Sequence, residues 1–331
     1  MEYKTLGRTG VKVSQLCMGT MSFGGIADEA MSKNMFNQCR DAGINFFDCA
    51  DVYEKGRSEE ILGKLIKECR HEMVITSKVY FNSGVGVNGA GANRYHIMRA
   101  IEASLRRLGT DFIDLYFIHR FDDITPLEET LMALNDLVRQ GKILYLGASN
   151  FAAWQVAKAL GISARKHLAR FECIQPMFNL VKRQAEVELL PMAVSEQLGV
   201  IPYSPLGGGL LTGKYGKDKR PDSGRLVDNK MYKVRYQDSQ MYEVVDAFNT
   251  LADELNVHPA SLAIARVGET PGVTAPIIGA RNNEQLQTSL EAVNINMDQE
   301  LYQRIAALSI TPPPATDRNE EVSDHNYGLR R

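Results

Sequence analysis

The sequence predicts an α/β fold: a (β/α)8 TIM barrel with an N-terminal β-hairpin cap and long βα loops at its C-terminal face. Three observations carry this expectation. Eight short apolar runs occur, at Gln15–Gly19, Asn45–Asp48, Val74–Lys78, Ile113–Ile118, Ile143–Ser149, Phe171–Gln175, Val200–Ser204 and Ala275–Gly279. Their starts are separated by 30, 29, 39, 30, 28, 29 and 75 residues, the length of one strand–helix unit with room for two insertions. The runs are apolar on both faces and the segments between them have helical periodicity, the pattern of a parallel sheet covered by helices. Eight such units close into a barrel.

Each element has its own justification. Tyr3–Leu6 and Val11–Val13 flank Arg8-Thr9-Gly10 and predict a small hairpin, placed to cap the N-terminal mouth. Ile97, Ile101, Leu105 and Leu108 form one helical stripe, and Val244, Phe248, Leu251 and Leu255 another. Thr125-Pro126-Leu127-Glu128 has the form of a capping box with Pro at the first helical position. Trp154 is expected to pack in the helix after the fifth run. The two long intervals hold a glycine-rich loop, Asn82–Gly91, and a segment beyond Ser204. Residues 311–331, with Pro312-Pro313-Pro314 and then mostly polar side chains, are expected to be a C-terminal tail. No linker divides the chain, so residues 1–331 are expected to form a single domain.

Two glycine motifs mislead. Gly84–Gly89 matches GxGxxG, yet it begins six residues after Lys78 and the helical stripe starts only near Ile97, so a flexible active-site loop is expected. Gly208–Lys214 has Walker A spacing, but Tyr215 stands where the magnesium-binding Ser or Thr belongs. That loop follows the seventh strand, where barrels often hold phosphate.

Composition narrows the function. Lys plus Arg total 38 against 40 Asp plus Glu, a formal charge of −2, which argues against nucleic-acid or membrane-surface binding. Met1-Glu2-Tyr3-Lys4 lacks the apolar run of a signal peptide, and no run is long enough to span a bilayer. Five scattered cysteines without a CxxC pair argue against a disulfide framework or zinc site and for a reducing cytoplasm. No metal is expected. An oligomer is possible but nothing in the sequence indicates one.

Strand ends supply the chemistry. Asp48 ends the second run, Tyr53 follows in its loop, Lys78 ends the third and His119 follows the fourth. A Tyr hydroxyl, with a pKa near ~10, is a poor donor at neutral pH. A cation at ~4 Å in an effective dielectric of ~20 is worth up to ~4 kcal/mol, about three pKa units. Lys78 is thus expected to bring Tyr53 towards neutrality, with Asp48 holding Lys78 and His119 placing a second donor beside the same substrate oxygen. This is a proton-delivery site for a carbonyl that becomes an alcohol, and the hydride must come from a nicotinamide cofactor.

These residues resemble the aldo-keto reductase superfamily over nearly the whole chain. Phe47-Asp48-Cys49-Ala50-Asp51-Val52-Tyr53-Glu54 with Gly56-Arg57-Ser58-Glu59 is similar to its first signature, Cys49 replacing a more usual Thr. Ile75-Thr76-Ser77-Lys78 and Asp114–His119 resemble its lysine and histidine strands. The resemblance implies Tyr53 as general acid, Lys78 and Asp48 tuning it, and His119 orienting the carbonyl. It implies NADP(H) as cofactor, with Ser149, Asn150 and Gln175 on the carboxamide and Tyr203 on the nicotinamide ring. Ser204, Pro205, Leu206, Gly207, Gly209, Leu210 and Lys214 resemble the pyrophosphate loop, and Gly279, Arg281 and Gln285 the adenosine-phosphate segment. Gly19, Thr20, Met21 and Arg225 complete the cofactor set. Thr288 and Ser289 depart from the Glu and Asn often found beside adenine. Met21, Phe23, Tyr80, Phe81 and Arg120 are the expected substrate contacts for a small-molecule carbonyl. The pattern is closest to the branch holding potassium-channel β subunits and bacterial aldehyde reductases, so a cofactor-binding regulatory subunit is the rival expectation.

Overall fold

The first two strands, β1 (Tyr3–Thr5) and β2 (Lys12–Ser14), pair antiparallel with Tyr3 opposite Ser14, the hairpin expected from the sequence. The computed structural model describes residues 1–82 and 86–322. Eight parallel strands follow: β3 (Cys17–Gly19), β4 (Phe46–Asp48), β5 (Val74–Val79), β6 (Ile113–Ile118), β7 (Ile143–Ser149), β8 (Phe171–Gln175), β9 (Gly199–Val200) and β10 (Ile277–Ile278). They lie in the order β10-β3-β4-β5-β6-β7-β8-β9. The ring closes because Thr274 N donates to Val200 O at 2.8 Å and Ile277 N to Pro202 O at 2.9 Å. The fold is therefore a (β/α)8 TIM barrel. The last two strands are shorter than their apolar runs. Pro202, Pro205 and Pro276 lack an N–H, so the ladder cannot continue through them.

Helices alternate with the strands: α1 (Glu29–Asp41), α2 (Arg57–Ile66), α3 (Arg94–Leu108), α4 (Leu127–Arg139), α5 (Ala153–Lys166) and α6 (Leu189–Ser195). Beyond β9 come α7 (Arg225–Asp228), α8 (Lys230–Arg235), α9 (Gln240–Glu254) and α10 (Pro259–Gly268), then α11 (Asn283–Leu290) and α12 (Gln299–Ala307). The long interval after Ser204 is thus helical in its own right. None of the described helices is long and apolar enough to cross a membrane.

Asn93 caps α3, its side chain accepting from His96 N, and Gly109 ends it at φ 62°. Gly89 lies five residues before α3, so it is not the close-packing helix glycine of a dinucleotide fingerprint. Gly84 and Val85 of that match lie outside the described residues, as do residues 323–331 of the expected tail. The capping box at Thr125 does not form. Pro126 is the N-cap, and the Thr125 hydroxyl donates to Asp122 Oδ2 at 2.7 Å, within the loop before α4.

Three apolar layers hold these elements. The largest lies between the sheet and its helices and includes Met35, Ile61, Ile101, Leu134 and Ile174. The barrel interior holds Cys17, Phe46, Leu115, Phe117, Ile201 and Ile277, with Leu6 and Val13 of the hairpin plugging its N-terminal end. A Cβ at Gly147 on β7 would collide with the Phe117 ring, so glycine there makes the space that the ring fills. The third layer packs Leu210, Leu211, Tyr215, Tyr232, Tyr236 and Phe248, and fixes the insertion over the C-terminal face.

Candidate active site

Alternation along β5 sends Thr76 and Lys78 to one side of the sheet and Ser77 to the other. Thr76 and Lys78 meet Asp48, the last residue of β4. Asp48 Oδ2 accepts from Lys78 Nζ at 2.7 Å, while Oδ1 accepts from Thr76 Oγ1 at 2.7 Å and Gln175 Nε2 at 2.8 Å. Lys78 is fully buried and Asp48 2% exposed, so the ion pair is sealed from water. Lys78 Nζ also donates to Cys49 O at 2.7 Å and to Tyr53 Oη at 3.2 Å. All three ammonium protons are thereby placed. Tyr53 Oη accepts from the lysine, and its own proton has no acceptor among the described residues.

Burial opposes a charge on Lys78, but Asp48 and Tyr53 together outweigh it and hold the ammonium pKa above its usual value. Burial dominates at Tyr53 and pushes its pKa up to about 12, against the lowering effect of Lys78. The expectation that Lys78 brings the free phenol towards neutrality is corrected by this balance. The phenol keeps its proton throughout the neutral range, as a proton donor must. Burial, reinforced by Lys78, holds the His119 imidazole well below the usual histidine range, so the ring is neutral. Its Nδ1 is buried and has no hydrogen-bond partner among the described residues. The ring lies 6.0 Å from that of Tyr53 and 4.9 Å from that of Phe81, both edge-on.

A second chain of hydrogen bonds joins these groups to the expected nicotinamide contacts. Asn150 adopts φ 57°, a left-handed conformation that Asn tolerates, and its Nδ2 donates to His119 O at 2.8 Å. Tyr203 Oη donates to Asn150 Oδ1 at 2.7 Å, and Ser149 Oγ to Gln175 O at 3.0 Å. Gln175 therefore links Asp48 to Ser149 across the barrel mouth.

After β9, Ser204 and Gly207, Gly208 and Gly209 have φ of 59°, 58°, 69° and 106°. A Cβ at Gly209 or at Gly279, just past β10, would meet nothing within 4 Å, so backbone lies bare at both places. Lys214 is exposed, Arg281 half-buried, and neither side chain has a hydrogen-bond or ion-pair partner among the described residues. Arg225 lies over the Tyr232 ring at 5.6 Å. An open glycine turn followed by Lys214, unpaired among the described residues, can take a phosphate on its backbone N–H groups. Lys214 opens no helix, which excludes a Walker A loop. Pro205 and Leu210 are buried and Leu206 half-buried, so these positions offer backbone more than side chain. Gln285 Oε1 accepts from Arg281 N at 3.2 Å. Gly19 ends β3, and Thr20 Oγ1 donates to Asp48 O at 3.0 Å.

Of the expected substrate contacts, Met21 is 45% and Phe81 37% exposed. Tyr80 lies edge-on to Phe81, and Arg120 is exposed. Phe23 is a correction: it is fully buried in the layer between sheet and helices, among Met18, Met35 and Ile61. Trp154 is in α5 but 61% exposed, its ring 6.0 Å from Phe121 on the rim. Sequence reasoning missed Thr76 and Phe121. Thr76 was detectable, since it stands two residues before Lys78 on one strand and shares its face.

The "Aldo/keto reductase family" model matches residues 15–310. The chain is 38% identical over 302 residues to a probable voltage-gated potassium channel subunit beta of Arabidopsis thaliana, covering 89% of this chain and 92% of that protein. It is 38% identical over 331 residues to the uncharacterized oxidoreductase YrpG of Bacillus subtilis (strain 168), covering 97% and 99%. It is 32% identical to the versiconal hemiacetal acetate reductase of Aspergillus parasiticus, covering 92% and 95%. Fold, family match and relatives agree, and the chain belongs to the aldo/keto reductase family.

Proposed function

We propose that this protein reduces an aldehyde or ketone to the alcohol with NADPH, Tyr53 serving as the general acid. The observation that carries this reading is the full use of the Lys78 ammonium. With its three protons on Asp48, Cys49 O and Tyr53, it leaves the phenol proton unclaimed and supports the negative charge that grows on Tyr53 as the proton leaves. Asp48 keeps Lys78 charged and oriented. Neutral His119 offers a donor to the same oxygen, with no competing positive charge. A bound nicotinamide dinucleotide supplies the hydride. Ser149, Asn150, Gln175 and Tyr203 would hold its ring, the Gly207–Gly209 turn and Lys214 its pyrophosphate, and Arg281 the adenosine phosphate. We place the protein in the reducing cytoplasm, a reading supported by five cysteines that are all free and buried. The test is steady-state NADPH oxidation over a panel of aliphatic and aromatic aldehydes. Turnover of at least one aldehyde at ordinary enzymic rates, about 1 per second or faster, is expected. The name of the Arabidopsis thaliana relative favours a second reading, a cofactor-binding subunit with slight redox activity. NADPH binding with negligible turnover across the panel would select it.

A further inference from the structure

Behind the Tyr53 rim, on the helix side of the sheet, lies a polar cluster that the proposed chemistry does not use. Glu59 of α2 is wholly buried, accepting from Ser77 of β5 at 2.5 Å and from two nitrogens of Arg107 of α3 at 2.7 and 2.6 Å. Asp51 is 7% exposed, and among the described residues its carboxyl oxygens have no hydrogen-bond partner apart from the backbone N–H of Val52. The buried hydroxyl of Tyr116, on β6, has no hydrogen-bond partner among the described residues. Asp51 belongs to the segment that carries Tyr53: its N–H donates to Lys78 O at 3.3 Å, and Tyr53 N donates to Ala50 O at 3.2 Å. Just beyond, Glu54, Lys55 and Gly56 are all left-handed, at φ 47°, 58° and 94°. Such strain persists only where the surroundings over-determine it. The Arg107 side chain supplies part of that constraint, its Cδ lying 2.8 Å from where a Gly56 Cβ would sit.

We propose that Asp51 is a positioning residue for the proton donor: as a neutral acid it leaves Arg107 on Glu59 and against Gly56, and its ionisation draws these apart and slackens the Tyr53 turn. This deepens the reading of Tyr53 as general acid and rests on it. The charged and titratable groups around Asp51 are Glu59 from α2, Arg107 from α3, Lys78 from β5 and Tyr116 from β6. Lys78 has its three donors placed, and Arg107 already serves Glu59 and Ser104, so a new anion at Asp51 competes with Glu59 for it. A carboxylate here is a bare buried charge beside another carboxylate, so either Arg107 changes partner or the Asp51 segment moves. In agreement, burial and then Glu59 push the Asp51 pKa up to about 7, against Arg107.

The test uses the full chain with ring-13C tyrosine, the Tyr53 signal being identified by its loss in Tyr53→Phe. An infrared band of a buried protonated carboxyl should vanish as pH rises through about 7, the Tyr53 signal should shift with the same midpoint, and Asp51→Asn should remove both changes. In NADPH-dependent reduction of 4-nitrobenzaldehyde, the parent's kcat should fall several-fold across that interval, with the KM for NADPH constant. Asp51→Asn should show no such step. A Tyr53 signal that stays still while the band titrates overturns the proposal, as does an unaltered step in Asp51→Asn. The first of these needs only the parent, so it survives a variant that folds poorly. It also needs no turnover. An inactive protein whose Tyr53 follows Asp51 would sink the reductase reading and leave only the coupling of Asp51 to the Tyr53 turn standing.

Discussion

At the scale of single residues, the site is an ion pair with its donors fully allotted, and two substitutions probe it. Tyr53→Phe keeps the ring and its packing and removes only the proton. Loss of ~4 kcal/mol of proton delivery slows the chemical step roughly 10³-fold, read by single-turnover NADPH oxidation, while NADPH affinity by fluorescence titration stays within a few-fold. A rate near the parent's would remove Tyr53 from the general-acid role. Lys78→Met strands a buried Asp48 carboxylate, and breaking a buried pair in this way costs about 3–5 kcal/mol in urea denaturation. Adding Asp48→Asn to it should recover part of that loss, and no recovery would mean that the cost lies in packing. Asp48, Tyr53, Lys78 and His119 were legible in the sequence because strand-end position and alternation are local properties of the chain. The high pKa of Tyr53 was not, because burial is conferred by groups distant in sequence and here outweighs the neighbouring cation. Phe23 was misread for the same reason, since nothing local separates an aromatic on the rim from one beneath it.

At the scale of elements, strand spacing and the apolar stripe of α9 were readable, and the short helices that open the insertion after β9 were not. Helices α7 and α8 span only 4 and 6 residues, too short for an amphipathic period to register. They are held by the aromatic layer of Tyr215, Tyr232 and Tyr236 rather than by their own propensity. The failed capping box at Thr125 teaches a similar lesson, because Asp122 competes for the hydroxyl. The cationic rim of this insertion and of the turn before α11 carries the prediction on cofactor choice. Arg281 has no side-chain partner among the described residues and can hold a 2′-phosphate by charge-assisted hydrogen bonds worth ~1.5–3 kcal/mol each. Arg281→Ala should weaken NADPH binding about tenfold or more and leave NADH nearly unchanged. Lys214→Ala should weaken both, since the pyrophosphate is common to them. Equal losses of the two cofactors in Arg281→Ala, measured by calorimetry, would show that Arg281 does not select.

At the scale of the whole molecule, the buried titratable groups make global stability depend on pH, and their signs differ. His119 has a depressed pKa and is neutral when folded, so the unfolded chain binds its proton first and stability falls as pH drops below ~6.5. Lys78 has a raised pKa, so its contribution is full below ~10.4 and is lost only as pH climbs beyond that. Asp51 runs the other way from an ordinary paired carboxylate. Its folded pKa is up to about 7, so between ~4 and about 7 the folded state holds a proton that the unfolded chain has released. Stability attributable to this group therefore declines with rising pH over that window and levels off above it. About three pKa units at ~1.36 kcal/mol each set the full decline at about 4 kcal/mol. Asp51→Asn carries no charge at any pH and lacks this decline. Urea denaturation of parent and variant at several values between about pH 4 and about pH 9 should give a stability difference that grows in the variant's favour up to about pH 7 and is then constant. The comparison cancels His119, Lys78 and every other group common to both proteins. A difference independent of pH would show that Asp51 is ionised throughout, finding its counter-charge in a rearranged Arg107.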